Sequence, residues 1–301
     1  MTQHVGPYRL QQSLAKGGGG EVYRALGPGG HIVALKVLRG PFNERRRRRA
    51  EVELRAQRRL EHPAILPVLD CGWHDQIAYL VFPLVEGGSL QDRLKREGTL
   101  PTATALEVVR QLADGLAHAH AQGVLHRDLK PDNVLLTEAG ARLIDFGLAQ
   151  ELEASYSRLT TSGTYLGTPG FWAPEQAQGE LERIGPWTDV YGLGATLYAC
   201  LSSRAPYVAD TVGVMLSMLV QRAPPDPLGL LRPDLDPRVV GLCMRCLAFD
   251  PEQRPSLPAL IQELDALLQG REQGAPRPRR GLGWFAGAAA GCAVLALGAA
   301  G

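Results

Sequence analysis

What this chain lacks first is a charge of one sign. Its 32 lysines and arginines against 31 aspartates and glutamates leave a net charge of +1. No global field of that size gathers a polyanion, which argues against a nucleic-acid binder steered by electrostatics. Cysteine is also scarce. Cys71, Cys200, Cys243, Cys246 and Cys292 are odd in number and mostly sit in apolar runs, which fits a reducing compartment and speaks against a disulfide framework. Cys243 and Cys246 form a single C-x-x-C with no second pair. They are therefore read as two small residues on one face of a buried helix, not as half a zinc site. The stretch Met1-Thr2-Gln3-His4-Val5-Gly6 has no charged-then-apolar pattern, so it does not read as a secretion signal.

What is there is enough material for one large domain or two small lobes: 301 residues, 45% hydrophobic and 21% charged. The stretch that organises it is His126-Arg127-Asp128-Leu129-Lys130-Pro131-Asp132-Asn133, flanked by Gly123-Val124-Leu125 and Val134-Leu135-Leu136. Two acids, two cations, a His and an Asn make poor core material, so this reads as a polar loop held at the lip of a sheet. Asp128, Lys130 and Asn133 supply a proton acceptor, a cation for a phosphate and a neutral metal ligand, the groups that phosphoryl transfer needs.

Upstream, 8–15 and 20–25 read as strands joined by Lys16-Gly17-Gly18-Gly19, where backbone N–H groups could approach phosphate oxygens. Residues 31–38 read as a strand with Lys36 inside an apolar run, a costly placement unless an acid or a phosphate partners it. Residues 43–60 read as a helix carrying five consecutive arginines, 45 to 49, taken as a solvated face that could also meet phosphate. Glu51 or Glu53 on it should face Lys36, and His62-Pro63 ends it. Strands are expected at 66–71 and 77–82, a Gly-rich hinge at 83–88 and an amphipathic helix at 102–121. His118 and His120 lie two apart and so do not share a helix face, which makes them structural or exposed residues and not a metal pair. A hairpin at 134–137 and 141–144 delivers Asp145-Phe146-Gly147. A long polar loop, 148–168, is closed by Ala173-Pro174-Glu175, and helices follow at 187–202, 211–221, 237–247 and 256–268.

These motifs, in this order, make the chain resemble a eukaryotic-type serine/threonine protein kinase of the bacterial membrane-attached kind, over about residues 8–268. The resemblance implies an α+β bilobal kinase fold, with a small β-rich N-lobe (8–82), a hinge (83–88) and a large helical C-lobe (89–268). It implies transfer of the γ-phosphate of ATP, with Mg²⁺, to Ser or Thr hydroxyls of protein substrates. Asp128 would take the hydroxyl proton, Lys130 would neutralise the γ-phosphate, and Asn133 and Asp145 would hold Mg²⁺. Lys36 would hold the α/β-phosphates, paired with Glu53 and with Glu51 as the fallback. Gly17 and Gly20 would line the phosphates. Leu14, Val22, Ala34 and Leu135 would sandwich the adenine, with Phe82 as gatekeeper and the Pro83 carbonyl and Val85 amide at the hinge. Lys130 with Pro131, and Gly167-Thr168-Pro169, point to Ser/Thr specificity. Arg127 implies a loop ordered by phosphorylation, at Thr160, Thr161 or Ser162. Asp189 would anchor the catalytic-loop backbone, and Glu175 would pair with Arg254.

The chain departs from the family at the glycine loop, where Ala15 takes the first glycine position and Gly19 the usual bulky tip. Weaker ATP affinity is expected from this, and a nucleotide-binding pseudokinase scaffold is the rival class. A non-catalytic membrane adaptor would leave the ordered polar motifs unexplained. At the other end, 269–282 reads as a flexible basic linker. Residues 283–301 carry no charge and at about 1.5 Å per residue would reach roughly across a bilayer's hydrocarbon. Arg277, Arg279 and Arg280 would lie on the cytoplasmic side, with the kinase domain. Trp284 suits the interface, and Gly283, Gly287 and Gly291 suit a helix–helix face for a homodimer.

Overall fold

The computed structural model describes residues 4–17, 20–38, 44–146 and 169–272. Strands β1 (His4–Val5), β2 (Tyr8–Gly17), β3 (Gly20–Leu26) and β4 (Ile32–Leu38) precede helix α1 (Glu44–Arg58). Strands β5 (Asp70–His74) and β6 (Ile77–Pro83) complete an antiparallel six-stranded sheet in the order β1-β2-β3-β4-β6-β5. The two-residue period of a strand sorts its side chains between two faces. Val33 and Leu35 of β4, with Tyr79 and Val81 of β6, face Tyr8 and Leu10. The alternate residues Leu38, Ala78, Leu80 and Phe82 meet Ala50 and Leu54 of α1. Lys36 is in phase with Ala34 and Leu38, so the pleat aims it at the α1 side of the sheet.

The strand expected at 66–71 forms instead at Asp70–His74. Two commitments shift it. Leu66 N–H donates to Leu143 O at 2.9 Å and Leu143 N–H to Ala64 O at 2.8 Å, so the start of the segment is pledged to the second lobe. The pairing of His74 with Ile77 then leaves Asp75-Gln76 as a two-residue turn, with Asp75 at φ 53°, a conformation Asp tolerates better than most side chains. The sheet also starts earlier than expected, because His4–Val5 pairs with Tyr8 and Arg9.

After the hinge comes α2 (Leu90–Glu97), which the sequence reading passed over. A reciprocal cap marks its start: Asp92 N–H donates to Ser89 Oγ, and Ser89 N–H donates to Asp92. Helix α3 (Thr102–Ala121) buries Leu106, Val109, Leu112 and Leu116 at helical spacing. The hairpin of β7 (Val134–Thr137) and β8 (Gly140–Leu143) packs on it. Then follow α4 (Pro174–Ala177), α5 (Pro186–Ser202), α6 (Val212–Val220), α7 (Leu228–Leu231), α8 (Pro237–Cys246) and α9 (Leu257–Glu272). Helix α5 is the axle of this lobe. From Thr188 to Leu201 every residue is buried, so it is largely apolar on every side, as a helix surrounded by protein must be, with Thr188, Asp189 and Thr196 the polar exceptions. Gly192 and Gly194 allow the closest approaches. A Cβ on Gly192 would stand 2.7 Å from Leu129 Cβ, and one on Gly194 2.5 Å from Cys246 Cβ.

Helix α9 runs to Glu272, four residues into the stretch read as linker. The glycine-loop tip Gly18-Gly19, Gly147, the loop 148–168 with Thr160, Thr161 and Ser162, the rest of the linker and the apolar segment 283–301 lie outside the described residues. No helix among the described residues is long and apolar enough to cross a membrane.

Candidate active site

The start of the loop 126–133 is fixed by groups that do not engage the Asp128 carboxylate. His126 is fully buried, and its ring lies 4.8 Å from that of Phe146. Burial pushes its imidazole below the usual range. Its Nε2–H donates to Ile144 O at 2.9 Å, since a carbonyl can only accept. Asp189, one turn into α5, is buried completely and accepts three hydrogen bonds. These come from the backbone N–H of His126 (2.8 Å) and Arg127 (2.7 Å) and from His120 Nε2 (2.7 Å). A buried carboxylate costs several kcal/mol unless it is compensated this way, so the same bonds that settle Asp189 bind the loop. They hold Arg127 at φ 63°, a left-handed conformation that costs a non-glycine residue about 1–3 kcal/mol. From the other side, Gln176 Nε2 donates to Arg127 O at 2.7 Å.

Beyond that bend the three expected residues converge. Lys130 Nζ lies 3.1 and 2.9 Å from the two carboxylate oxygens of Asp128. Asn133 Nδ2 donates to Asp128 O at 2.7 Å and to Asp128 Oδ2 at 2.9 Å. With its amide hydrogens turned to Asp128, Asn133 keeps the amide oxygen for a cation. Ile144 N–H donates to Asn133 O at 3.0 Å, so the loop and the segment carrying Asp145 are bonded along their backbones. Asp145 sits at φ 62°, and its Oδ1 pairs with Lys36 Nζ at 2.7 Å. That ion pair closes the cleft between sheet and helices.

Glu53 lies on the α1 face that also carries Ala50 and Gln57, with both carboxylate oxygens shielded from solvent. Glu51, the fallback, pairs with Arg47 at 3.3 Å. The cation expected to meet one of them is seated on Asp145. Helix α1 reaches the same segment through Gln57, whose Nε2 donates to Phe146 O at 2.9 Å.

Above the loop, Ala34, Val85 and Leu135 pack around the cluster containing Phe82, which brings sheet, hinge and β7 to one apolar wall. Val22 stands opposite Lys36 in the β3–β4 register. Leu14 is 44% exposed. Gly17 pairs with Gly20. Gly20 adopts φ 147°, and a Cβ there would lie 2.0 Å from Val37 O, so only glycine fits. Pro83 pairs with Val33 at the end of β6, a place where its missing N–H is tolerated.

The floor of the lobe is an ion pair. Arg254 Nη1 and Nη2 each donate to Glu175 at 2.8 Å, and both side chains are excluded from solvent. His120, Gln57 and Gln176 are the positioning residues that sequence reasoning missed. His120 was seen but given no partner, because its partner lies 69 residues away. The two glutamines carry no sequence signal at all. Cys243 and Cys246 are buried free thiols whose pKa burial raises, Cys246 to about 12. They pack as core.

Residues 8–264 match the model of the protein kinase domain. PknH of Mycobacterium bovis, a serine/threonine-protein kinase, is 36% identical over 257 residues, which are 83% of this chain and 42% of that protein. PknA of Mycobacterium tuberculosis, likewise named, is 38% identical over 258 residues, 83% of this chain and 58% of PknA. The chain thus spans less than two thirds of the length of these relatives. The crystal structure of the Mycobacterium tuberculosis PknI kinase domain is similar with a TM-score of 0.70 at 28% identity, covering 88% of this chain and 97% of that one. Rad53 in complex with AMP-PNP, at 22% identity, shares the fold with a TM-score of 0.69, covering 85% of this chain and 64% of that one.

Proposed function

Starting from a chain that belongs to the protein kinase family, we propose that it transfers the γ-phosphate of ATP to serine or threonine hydroxyls of other proteins. The observation that carries this reading is the convergence of Lys36 and Asp145 across the cleft with Asp128, Lys130 and Asn133 below it. Lys36 binds the α- and β-phosphates and Lys130 the γ-phosphate, so both exchange a carboxylate for a phosphate when nucleotide enters. Released from Lys130, Asp128 orients the substrate hydroxyl and accepts its proton. Asp145 and the amide oxygen of Asn133 are hard oxygen donors of the kind Mg²⁺ takes. Mg²⁺ bound there supplies charge that offsets the charge developing on the phosphoryl oxygens. Leu14, Gly17, Gly20, Val22, Ala34, Pro83, Val85 and Leu135 form the nucleotide's bed, with Glu53 supporting Lys36 once Asp145 is engaged elsewhere.

Labelled ATP and a generic acceptor protein test the reading. Asp128→Asn should lower transfer by about 10²–10⁴-fold, the usual share of a general base, while nucleotide still raises the melting temperature. Equal transfer by both proteins would favour a nucleotide-binding scaffold, a reading supported by Ala15 at the first glycine position.

The strained Arg127 next to Asp128 suits a loop whose phosphate it would meet. Autophosphorylation at Thr160, Thr161 or Ser162 is therefore part of the proposal. Phosphopeptide mapping of the active protein should find at least one of them modified; full activity with none modified would refute this part. We further propose that 283–301 spans the cell membrane once, with Arg277, Arg279, Arg280 and the kinase domain on the cytoplasmic side, and that Gly283, Gly287 and Gly291 pair two copies.

A further inference from the structure

Two histidines outside the site lie ring to ring where the lobes meet. His62 is in the segment after α1 and His118 is on the last turn of α3. Their ring centroids are 5.2 Å apart with the planes inclined at 32°, and both are half-buried. Each ring is held as an acceptor. Ala64 N–H donates to His62 Nδ1 at 3.1 Å. Gln122 Nε2 lies 2.7 Å from His118 Nε2. An amide nitrogen only donates, so this ring nitrogen carries no proton. An imidazole with one accepting nitrogen is neutral. The titratable groups whose charge reaches His62 from the packed elements are His118 and Asp114, both on α3. Asp114 is engaged by Arg110 at 2.5 Å, so its charge is already partnered. Burial first, then His118, lower the pKa of His62, against a rise from Asp114.

What this contact holds is the strap 61–66. Ile65 N–H donates to His62 O at 3.0 Å, and the strap exchanges hydrogen bonds with Leu143 at 2.8 and 2.9 Å. Strand β8 ends at Leu143, and Asp145 follows two residues later. The strap therefore joins the end of α1, the end of α3 and the segment carrying Asp145.

We propose that the His62–His118 pair is an acid-sensitive latch. When protonated, the two rings lose their acceptor bonds and become like charges in contact. The strap then parts from α3 and the Asp145 segment loosens, so nucleotide-dependent activity falls under mildly acidic conditions. The activity readout rests on the kinase reading above; the stability readout does not.

The test uses the full chain and His118→Phe, which keeps a ring against His62 but cannot charge. Melting temperature and transfer rate are followed between about pH 8 and pH 5, the range in which histidine titrates. At the upper end the variant should match the wild type. At the lower end its transfer rate should exceed that of the wild type by about threefold or more, and its melting temperature should fall less. His126 titrates in both proteins and cancels in the comparison. Should His118→Phe fold poorly, His62→Gln, which retains an acceptor for Ala64 N–H, should flatten the same profiles. Superimposable profiles in both readouts would overturn the latch. Absence of transfer in every protein, with diverging melting profiles, would instead refute the kinase reading and leave the latch standing.

Discussion

Arg254 shows what one buried side chain must satisfy. Its guanidinium has five N–H groups, and all five find acceptors: Glu175 twice, Ala248 O, Trp187 O and Phe249 O. Glu175 in turn accepts from Thr188 Oγ1 at 2.8 Å. Removing the cation strands a carboxylate in the core. Arg254→Ala should therefore cost about 3–5 kcal/mol, read as a lowered midpoint in urea unfolding at unchanged slope. Arg254→Lys should not restore it, because three donors on one nitrogen cannot reproduce the fork. The pairing of Glu175 with Arg254 was legible from the family pattern. The tie from Gln176 to Arg127 O was not, since a glutamine in a sequence does not reveal which carbonyl it will meet.

At the scale of elements, the β2–β3 hairpin and α5 set the two sides of the cleft. Gly20 is the tightest point of the first. Its φ of 147° and the 2.0 Å approach to Val37 O leave no room for a methyl group. Gly20→Ala should therefore move β3 away from β4 and raise the KM for ATP by about tenfold, equivalent to 1.4 kcal/mol of binding, with a smaller effect on kcat. Steady-state kinetics at varied ATP separate the two; an unchanged KM would mean that the hairpin does not touch nucleotide. In the second element, Gly192 seats Leu129 against α5 while Asp189, one turn earlier, accepts the backbone of the same loop. Packing and hydrogen bonding thus reach the catalytic loop from a single rigid helix, the sort of support that catalytic geometry requires.

For the whole molecule, the described contacts that join the sheet to the helical lobe include Lys36 with Asp145, Gln57 with Phe146 O, the strap 64–66 with Leu143, the His62–His118 ring contact and Leu135 against the Phe82 cluster. Such a joint can open and close without unfolding either core. The proposed anchor belongs to this scale too. If 283–301 anchors the chain, the full protein expressed in bacteria should sediment with membranes and resist extraction by high salt, whereas a chain ending at Glu272 should be found in the supernatant. Crosslinking in those membranes should give a dimer that Gly287→Ile weakens. Equal solubility of the two chains would dismiss the anchor, and monomer alone would dismiss the pairing.

The order of motifs, the helical period of 102–121, the alternation in β4 and the polar loop amid apolar runs were all decided by the sequence. Each is a local pattern, set by which side chains a helix or strand can place on one face. Only the tertiary structure decided that Lys36 rests on Asp145, that His120 completes the shell of Asp189, that β5 begins at Asp70 and that His62 stacks on His118. Each of those is a choice among partners distant in the chain. It is settled by which buried donors and acceptors must be matched once the lobes have packed, and no local pattern encodes that.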